Sequence, residues 1–274
     1  MPAINPERLK RETAELTACF SDPEKFVHVL EDLLDRYADR VRRPGQTGSP
    51  APLLPAFKVA PPVMRQILLT LTPLAETDSL AALALADALW EKPTLETRQI
   101  AIRLLGLIPA NDPDQILTRV QKWAGVHGDD APPPKAEEYI LEELFTIGLI
   151  RLQTQYPDHV LELIREWLGH SQVETQTLGA RALLSLVQNP VFDNLPLVYR
   201  LLLPRVIDSL PVLRAHLAAV IRVLAKRSPQ ETAHFLNQIL IVADKPGIAW
   251  ITRQAMEFFP EETQERLKET IRDR

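Results

Sequence analysis

The chain has 274 residues, 46% of them hydrophobic and 24% charged, enough for a large core in one elongated array or two compact domains. Its 31 Lys/Arg and 36 Asp/Glu give a net charge of −5, so any basic surface must be a local feature. The single cysteine, Cys19, excludes an internal disulfide and a Cys-based zinc site, and reads as a small apolar residue on a helix.

Only 9 glycines against 24 prolines, with the prolines mostly between apolar-periodic segments, indicate short helices separated by breaks. In chain order, helices are expected over 6–20 and 23–42, the second with Phe26, Val29, Leu30, Leu33, Leu34 and Tyr37 on one stripe. Residues 44–60 are rich in Gly, Pro and Ser and read as a loop. Arg40, Arg42, Arg43 and Lys58 lie in or beside it, which suits a solvated linker or a loop along a phosphate backbone.

A series of helices then begins with Pro at the first helical position of PPVMRQILLTLTPLA, where a missing N–H costs nothing. The spacing predicts further helices over 78–90, 94–108, 113–123, 136–155, 157–168, 173–188, 195–209, 210–227, 229–242 and 247–259. A polar helix over 261–274 closes the chain. The N-terminal region is charged from Glu7 onward, and no window approaches the roughly 18 apolar residues that a membrane span needs. A cytoplasmic protein without membrane contact is expected.

The helices repeat. LETRQIAIRLLGL aligns with VETQTLGARALLSL, so that Glu96, Thr97, Arg103 and Leu105 meet Glu174, Thr175, Arg181 and Leu183. Arg98 meets Gln176, and Arg214 and Arg253 continue the column, giving a two-helix period of about 39 residues. That is the period of HEAT-type repeats. The expected fold is all-α, a right-handed α-solenoid of HEAT-like helix pairs in one continuous domain. It would have an N-terminal helical cap over 1–43, the loop 44–60, the array 61–259 and a capping helix 260–274. The arginine column is expected to pair with turn carbonyls or acidic groups. Trp90, Trp123 and Trp167, each ending a first helix, are expected to plug junctions between stacked pairs.

Three stretches carry a more specific likeness: FKVAPPVMRQI, LADALWEKPTLETRQIAIRLL and YPDHVLELIREWLGH. With them the span from Phe57 to about Asn237 resembles the AlkD-type DNA alkylation repair family. The resemblance implies a HEAT-like solenoid that cradles duplex DNA. In active members an aromatic-lined cleft, a catalytic Asp and a nearby Arg excise cationic alkylated bases. It places the carboxylate at or near Glu142, the preceding Trp near Glu138, and the Arg near Thr177, with Gln176 beside it and Arg181 one turn on. Glu replaces Asp, while the aromatic and the Arg are lost, so Glu142 is a weak catalytic candidate in a weakened platform.

Charge is unevenly distributed. Residues 129–174 hold three Lys/Arg against ten Asp/Glu, whereas residues 175–227 hold seven Lys/Arg against Asp193 and Asp208. Candidate phosphate contacts are therefore Arg42, Arg43, Lys58, Arg200, Arg205, Arg214, Arg222, Lys226 and Arg227. The six histidines are scattered and no Gly-rich phosphate loop or G-x-S-x-G is present, so no metal and no cofactor are expected. The leading reading is a module binding the backbone of duplex DNA, or another anionic partner, without robust catalysis. The alternatives are a protein–protein scaffold, which suits a solenoid of acidic balance, and a glycosylase for alkylated bases.

Overall fold

The computed structural model describes residues 4–40, 54–126, 138–243 and 246–272, and every regular element among them is helical. They fall into two compact units, one drawn from residues 1–123 and 135–151, the other from 124–134 and 152–274.

The first unit is built from α1 (Pro6–Ala14) with the 3₁₀ turn Glu15–Cys19, α2 (Pro23–Arg36), α3 (Pro61–Thr77), α4 (Ser79–Trp90), α5 (Leu95–Leu107) and α6 (Pro113–Ala124). It continues with α7 (Glu138–Glu143), a π-helical turn Leu144–Gly148, and the start of α8 (Ile150–Gln155). Two layers result: α1, α3, α5 and α7 with the π turn pack in succession, and α2 and α4 pack behind them. α6 joins the second layer where Arg119 grips Asp87 on α4 (2.8 Å) and the Trp123 ring lies flat on Trp90 (4.6 Å, 7°). Proline opens α2, α3 and α6 for the reason expected from the sequence, and Asp22 and Asp78 cap α2 and α4 by accepting from Lys25 N–H (3.2 Å) and Ala81 N–H (3.0 Å). α2 ends at Arg36, short of the expected 42. Its C-terminus is fixed by tertiary contacts: the Tyr37 hydroxyl donates to Glu12 Oε2 (2.7 Å), and Asp39 N–H donates to Phe57 C=O (3.2 Å).

The second unit contains α9 (Pro157–Gly169), α10 (Val173–Gln188), α11 (Leu195–Ile207), α12 (Pro211–Arg227), α13 (Pro229–Val242), α14 (Pro246–Ala255), the 3₁₀ turn Met256–Phe258, and α15 (Glu261–Arg272). α10, α12 and α14 pack side by side as one layer, while α9, α11, α13 and α15 form the other. The core is almost wholly aliphatic and lies between the layers, with Trp167 its largest fully buried side chain. Buried Gln153 ties the start of this unit to α10 by donating to Ser185 Oγ (2.9 Å).

No described helix is long and apolar enough to cross a membrane, and among the described residues no group of three or more His, Cys, Asp or Glu could hold a metal ion.

Candidate nucleic-acid interface

One face of α5 organises the first unit. Glu96, Gln99, Arg103 and Gly106 recur at i, i+3, i+7 and i+10, so they line up along the helix. Each contacts a segment outside α5. Glu96, 4% exposed, accepts from Phe57 N–H (3.0 Å) and Lys58 N–H (2.6 Å). Gln99 donates to Glu143 Oε1 (3.1 Å), and Arg103 stands 3.7 Å from the same oxygen. Gly106 meets the π turn so closely that a Cβ there would lie 2.2 Å from the Ile147 carbonyl oxygen. Only hydrogen fits in that space, and the absent side chain lets two backbones touch. A π turn is a frequent mark of a functional site, since it realigns the side chains that precede it.

Beside this face lies a groove of about 600 Å³. Its walls are aliphatic, from Val59, Met64, Leu68, Leu69, Leu107, Ile147 and Ile150, and its polar groups are Arg65, Thr72, Gln99 and Arg103. No aromatic ring among the described residues lines it. Arg65 is exposed and makes no ion pair with a described residue, whereas Arg103 shares its charge with Glu143.

Glu143 is the carboxylate that Gln99 and Arg103, two polar residues of the groove, both approach. Its second oxygen is buried and has no hydrogen-bond partner among the described residues. Burial pushes its carboxyl above the ordinary glutamate range; Arg103 and the Gln99 amide oppose this, and the neighbouring Glu142 adds to it. Glu142, the carboxylate placed by resemblance, is exposed, as is Glu138. Sequence reasoning missed Glu143 because residues adjacent on a helix are alike in sequence but lie about 100° apart around the axis.

The remaining candidates divide by environment. Arg42 and Arg43 lie outside the described residues. Lys58 sits half-buried on the turn held by Glu96. Arg200, exposed, and Arg205, half-buried, stand on α11, in the layer opposite α12. On α12, Arg222 and Lys226 are exposed one turn apart, with the Lys226 ammonium 4.5 Å from the centre of the Phe258 ring. Arg214 Nε donates to the Ser209 carbonyl (3.3 Å). Arg227 is built into the fold, because its guanidinium donates to the carbonyls of Val187 (2.7 Å), Asn189 (3.3 Å) and Phe192 at the end of α10. It also borders a second groove, of about 650 Å³, between α11 and α13. Arg222 and Lys226 are thus brought together, and Arg200, Arg205 and Arg227 are directed elsewhere.

Two members of the repeat column reach turn carbonyls as expected, and Arg98 stacks on a ring instead. Gln176 Nε2 donates to the His170 carbonyl (2.7 Å), as Arg214 does to Ser209, each bracing the turn before its helix. Arg98 lies over the outer face of Trp90, 4.9 Å from the ring centre, completing an Arg–Trp–Trp stack. Arg253 alone of the column is exposed. The three tryptophans are buried (Trp90 9%, Trp123 2% and Trp167 0% exposed), which removes them as platforms for a base. At the positions that the resemblance assigns to the family's arginine, Thr177 donates to the Val173 carbonyl (2.9 Å) and Gln176 is buried.

Comparison with known proteins adds one finding. No curated protein and no solved structure matches the chain. The family model described as DNA alkylation repair enzyme matches residues 53–259, which span both units and most of the chain. This match supports a DNA-related role, and the chain belongs to the DNA alkylation repair enzyme family.

Proposed function

We propose that this protein binds the sugar–phosphate backbone of duplex DNA and does not release bases from it. The observation that carries this reading is the composition of the groove beside α5: aliphatic walls, no aromatic ring among the described residues, and the cations Arg65 and Arg103. A cationic alkylated base needs stacking and a free carboxylate. Here it would meet two guanidiniums, while Glu143 is ion-paired, partly desolvated and held toward its protonated form. A phosphate diester suits the same groove through charge-assisted hydrogen bonds from Arg65. In the second unit Arg222 and Lys226 offer a matching pair of cations on the exposed side of α12. HEAT-like pairing with a period near 39 residues belongs to this proposal too. Its support is the two-layer alternation inside each unit and the equivalent turn-bracing bonds of Gln176 and Arg214.

The test is binding of an unmodified duplex at two salt concentrations, with release of an alkylated base assayed in parallel. Salt-sensitive binding without release is expected. Binding that is absent, or indifferent to salt, refutes the proposal. A second reading, excision by Glu143 or Glu142, is favoured by one observation, the unpartnered Glu143 Oε2. Base release lost on Glu143→Gln or Glu142→Gln would establish it in place of the first.

A further inference from the structure

We propose that Trp250, with the cations Arg222, Lys226 and Arg253 on the same face, is a stacking site for an unpaired DNA base, so that duplex carrying a single-stranded extension is held more tightly than blunt duplex. The inference rests on the DNA-backbone reading above and adds to it the kind of DNA that the second unit selects.

Trp250, on α14, is 39% exposed, whereas Trp90, Trp123 and Trp167 are buried. A lone apolar side chain at a surface carries no meaning by itself; the surroundings of this one do. α12 and α14 carry no Asp or Glu along their whole length, in a chain whose net charge is −5. Arg222, Lys226 and Arg253 are exposed on these two helices and make no ion pair with a described residue. The exposed acid that follows, Glu257, lies in the 3₁₀ turn after α14, so cations predominate around the ring.

Two contacts fix the register of α14 on α12. A Cβ at Gly247 would lie 2.9 Å from Arg214 Nε, and the Lys226 ammonium stands 4.5 Å from the centre of the Phe258 ring. The two pairs are 33 and 32 positions apart, so the helices run parallel, with Arg222 level with residues 254–255 and Trp250 level with 217–218. At about 100° per residue, Arg222 and Lys226 fall opposite the buried Leu213, Leu217, Val220 and Leu224, and Trp250 falls opposite the buried Ile248, Thr252 and Ala255. α11 and α13 pack against both helices, so the two buried sides face one layer, and the ring and the cations share the opposite, solvent face. Nearest the ring on that face of α12 are Ala215 and Ala219, too short to cover it. Arg222 follows about 7 Å along the axis, and Arg253 stands one turn from Trp250 on α14.

A ring among such cations suits a strand whose base is free to stack, because every base has a π-face and phosphates flank it on both sides. The bases of a blunt duplex are already paired and stacked. They offer phosphates to the cations and nothing to the ring.

The experiment uses the full chain with a blunt 20-base-pair duplex and the same duplex carrying a short thymidine extension, at several salt concentrations. Affinity and tryptophan fluorescence are read for wild type, Trp250→Ala and Trp250→Phe. The extension is expected to strengthen wild-type binding about five-fold or more, the worth of one stacked base, and to quench the fluorescence of the exposed tryptophan. Trp250→Ala should lose both the gain and the quench while keeping its unfolding midpoint, its blunt-duplex affinity and its salt slope. Trp250→Phe, which keeps a ring, should recover part of the gain. A gain that survives in Trp250→Ala comes from the added phosphates alone and overturns the proposal. So does equal weakening of both DNAs by Trp250→Ala, because the ring would then serve the duplex or the fold. Wild-type protein that binds both DNAs equally, with salt sensitivity and no quench, overturns this inference and leaves the DNA-backbone reading standing. Wild-type protein that shows no salt-sensitive binding to either overturns that reading, and this inference with it.

Discussion

The contact between α5 and the π turn is set by one hydrogen atom. A Cβ at Gly106 would lie 2.2 Å from the Ile147 carbonyl oxygen and 3.1 Å from its carbon. Carbon and oxygen normally approach to about 3.3 Å, so Gly106→Ala must drive α5 and the π turn apart by about 1 Å. Both obstructing atoms are backbone, and no side-chain rotation relieves them. Alanine is the better helix former by about 1 kcal/mol, whereas overpacking that moves backbone costs about 1–3 kcal/mol. With no side chain able to yield, the steric cost should lie at the upper end, about 3 kcal/mol, for a net loss of about 2 kcal/mol and a fall in Tm of about 4–8 °C. Gly169, at the end of α9, is the control: nothing lies within 4 Å of its would-be Cβ, and its φ is not in the left-handed region. Gly169→Ala should therefore stabilise by about 0.5 kcal/mol through the unfolded chain. Thermal and urea unfolding of the two variants side by side decide the matter. Gly106→Ala as stable as wild type, or shifted in the same direction as Gly169→Ala, would refute the reasoning. Because Gly106 and Ile147 both line the groove, weaker DNA binding by Gly106→Ala is the corresponding functional expectation.

Other substitutions separate the fold from its surface. Burial holds the Glu143 carboxyl above its ordinary range, so the folded protein keeps a proton that the unfolded chain has released. Stability from this group is therefore full below the ordinary glutamate value of about 4.3 and is lost as pH rises through the raised one. Glu143→Gln should flatten the urea midpoint across that window and be at least as stable as wild type at neutral pH; an unchanged slope would contradict the assignment. Arg227→Ala removes the donor to three carbonyls and should cost about 3 kcal/mol in denaturant unfolding, with Arg227→Lys recovering only part because an ammonium lacks the planar fork. Arg222→Ala should leave stability within about 0.5 kcal/mol of wild type while lowering the salt slope of DNA binding by about 0.9. Equal destabilisation by Arg222→Ala and Arg227→Ala would show that the two environments are not distinguished as described.

The helices were legible because their punctuation is local. Proline at the first position of α2, α3, α6, α9 and α13 acts within one turn, and the apolar stripes between such starts lie on single helices. The burial of Trp90, Trp123 and Trp167 followed from their place at the ends of first helices, where a large ring fills the junction. The early end of α2 was not legible, since it depends on Tyr37 reaching Glu12 and on Asp39 reaching Phe57, both far along the chain. The π turn has the same origin: Leu144–Gly148 reads as ordinary helix until Gly106, some forty residues earlier, brings α5 against its backbone.

The site residues divide on the same principle, and Arg227 shows why charge counting overreaches. In sequence it belongs to the basic run that also contains Arg222 and Lys226, and all three count equally toward a local positive charge. Its position in the last turn of α12 places it beside the terminal carbonyls of α10, and a guanidinium that reaches unsatisfied carbonyls donates to them. Arg222 and Lys226, on the exposed side of the same helix, donate to no such carbonyl among the described residues. Glu96 is the mirror case. Its alignment with Glu174 makes it look like a repeated surface acid, yet it is 4% exposed and accepts from two amides of the 54–60 segment, whereas Glu174 is exposed. Periodicity thus identifies the residues that every repeat needs. The residues that give this chain its own surface are those at which one repeat meets a segment the others lack. At Glu96 the non-repeating segment brings two backbone amides to one buried carboxylate, so that this acid serves this chain's own fold and not the repeat.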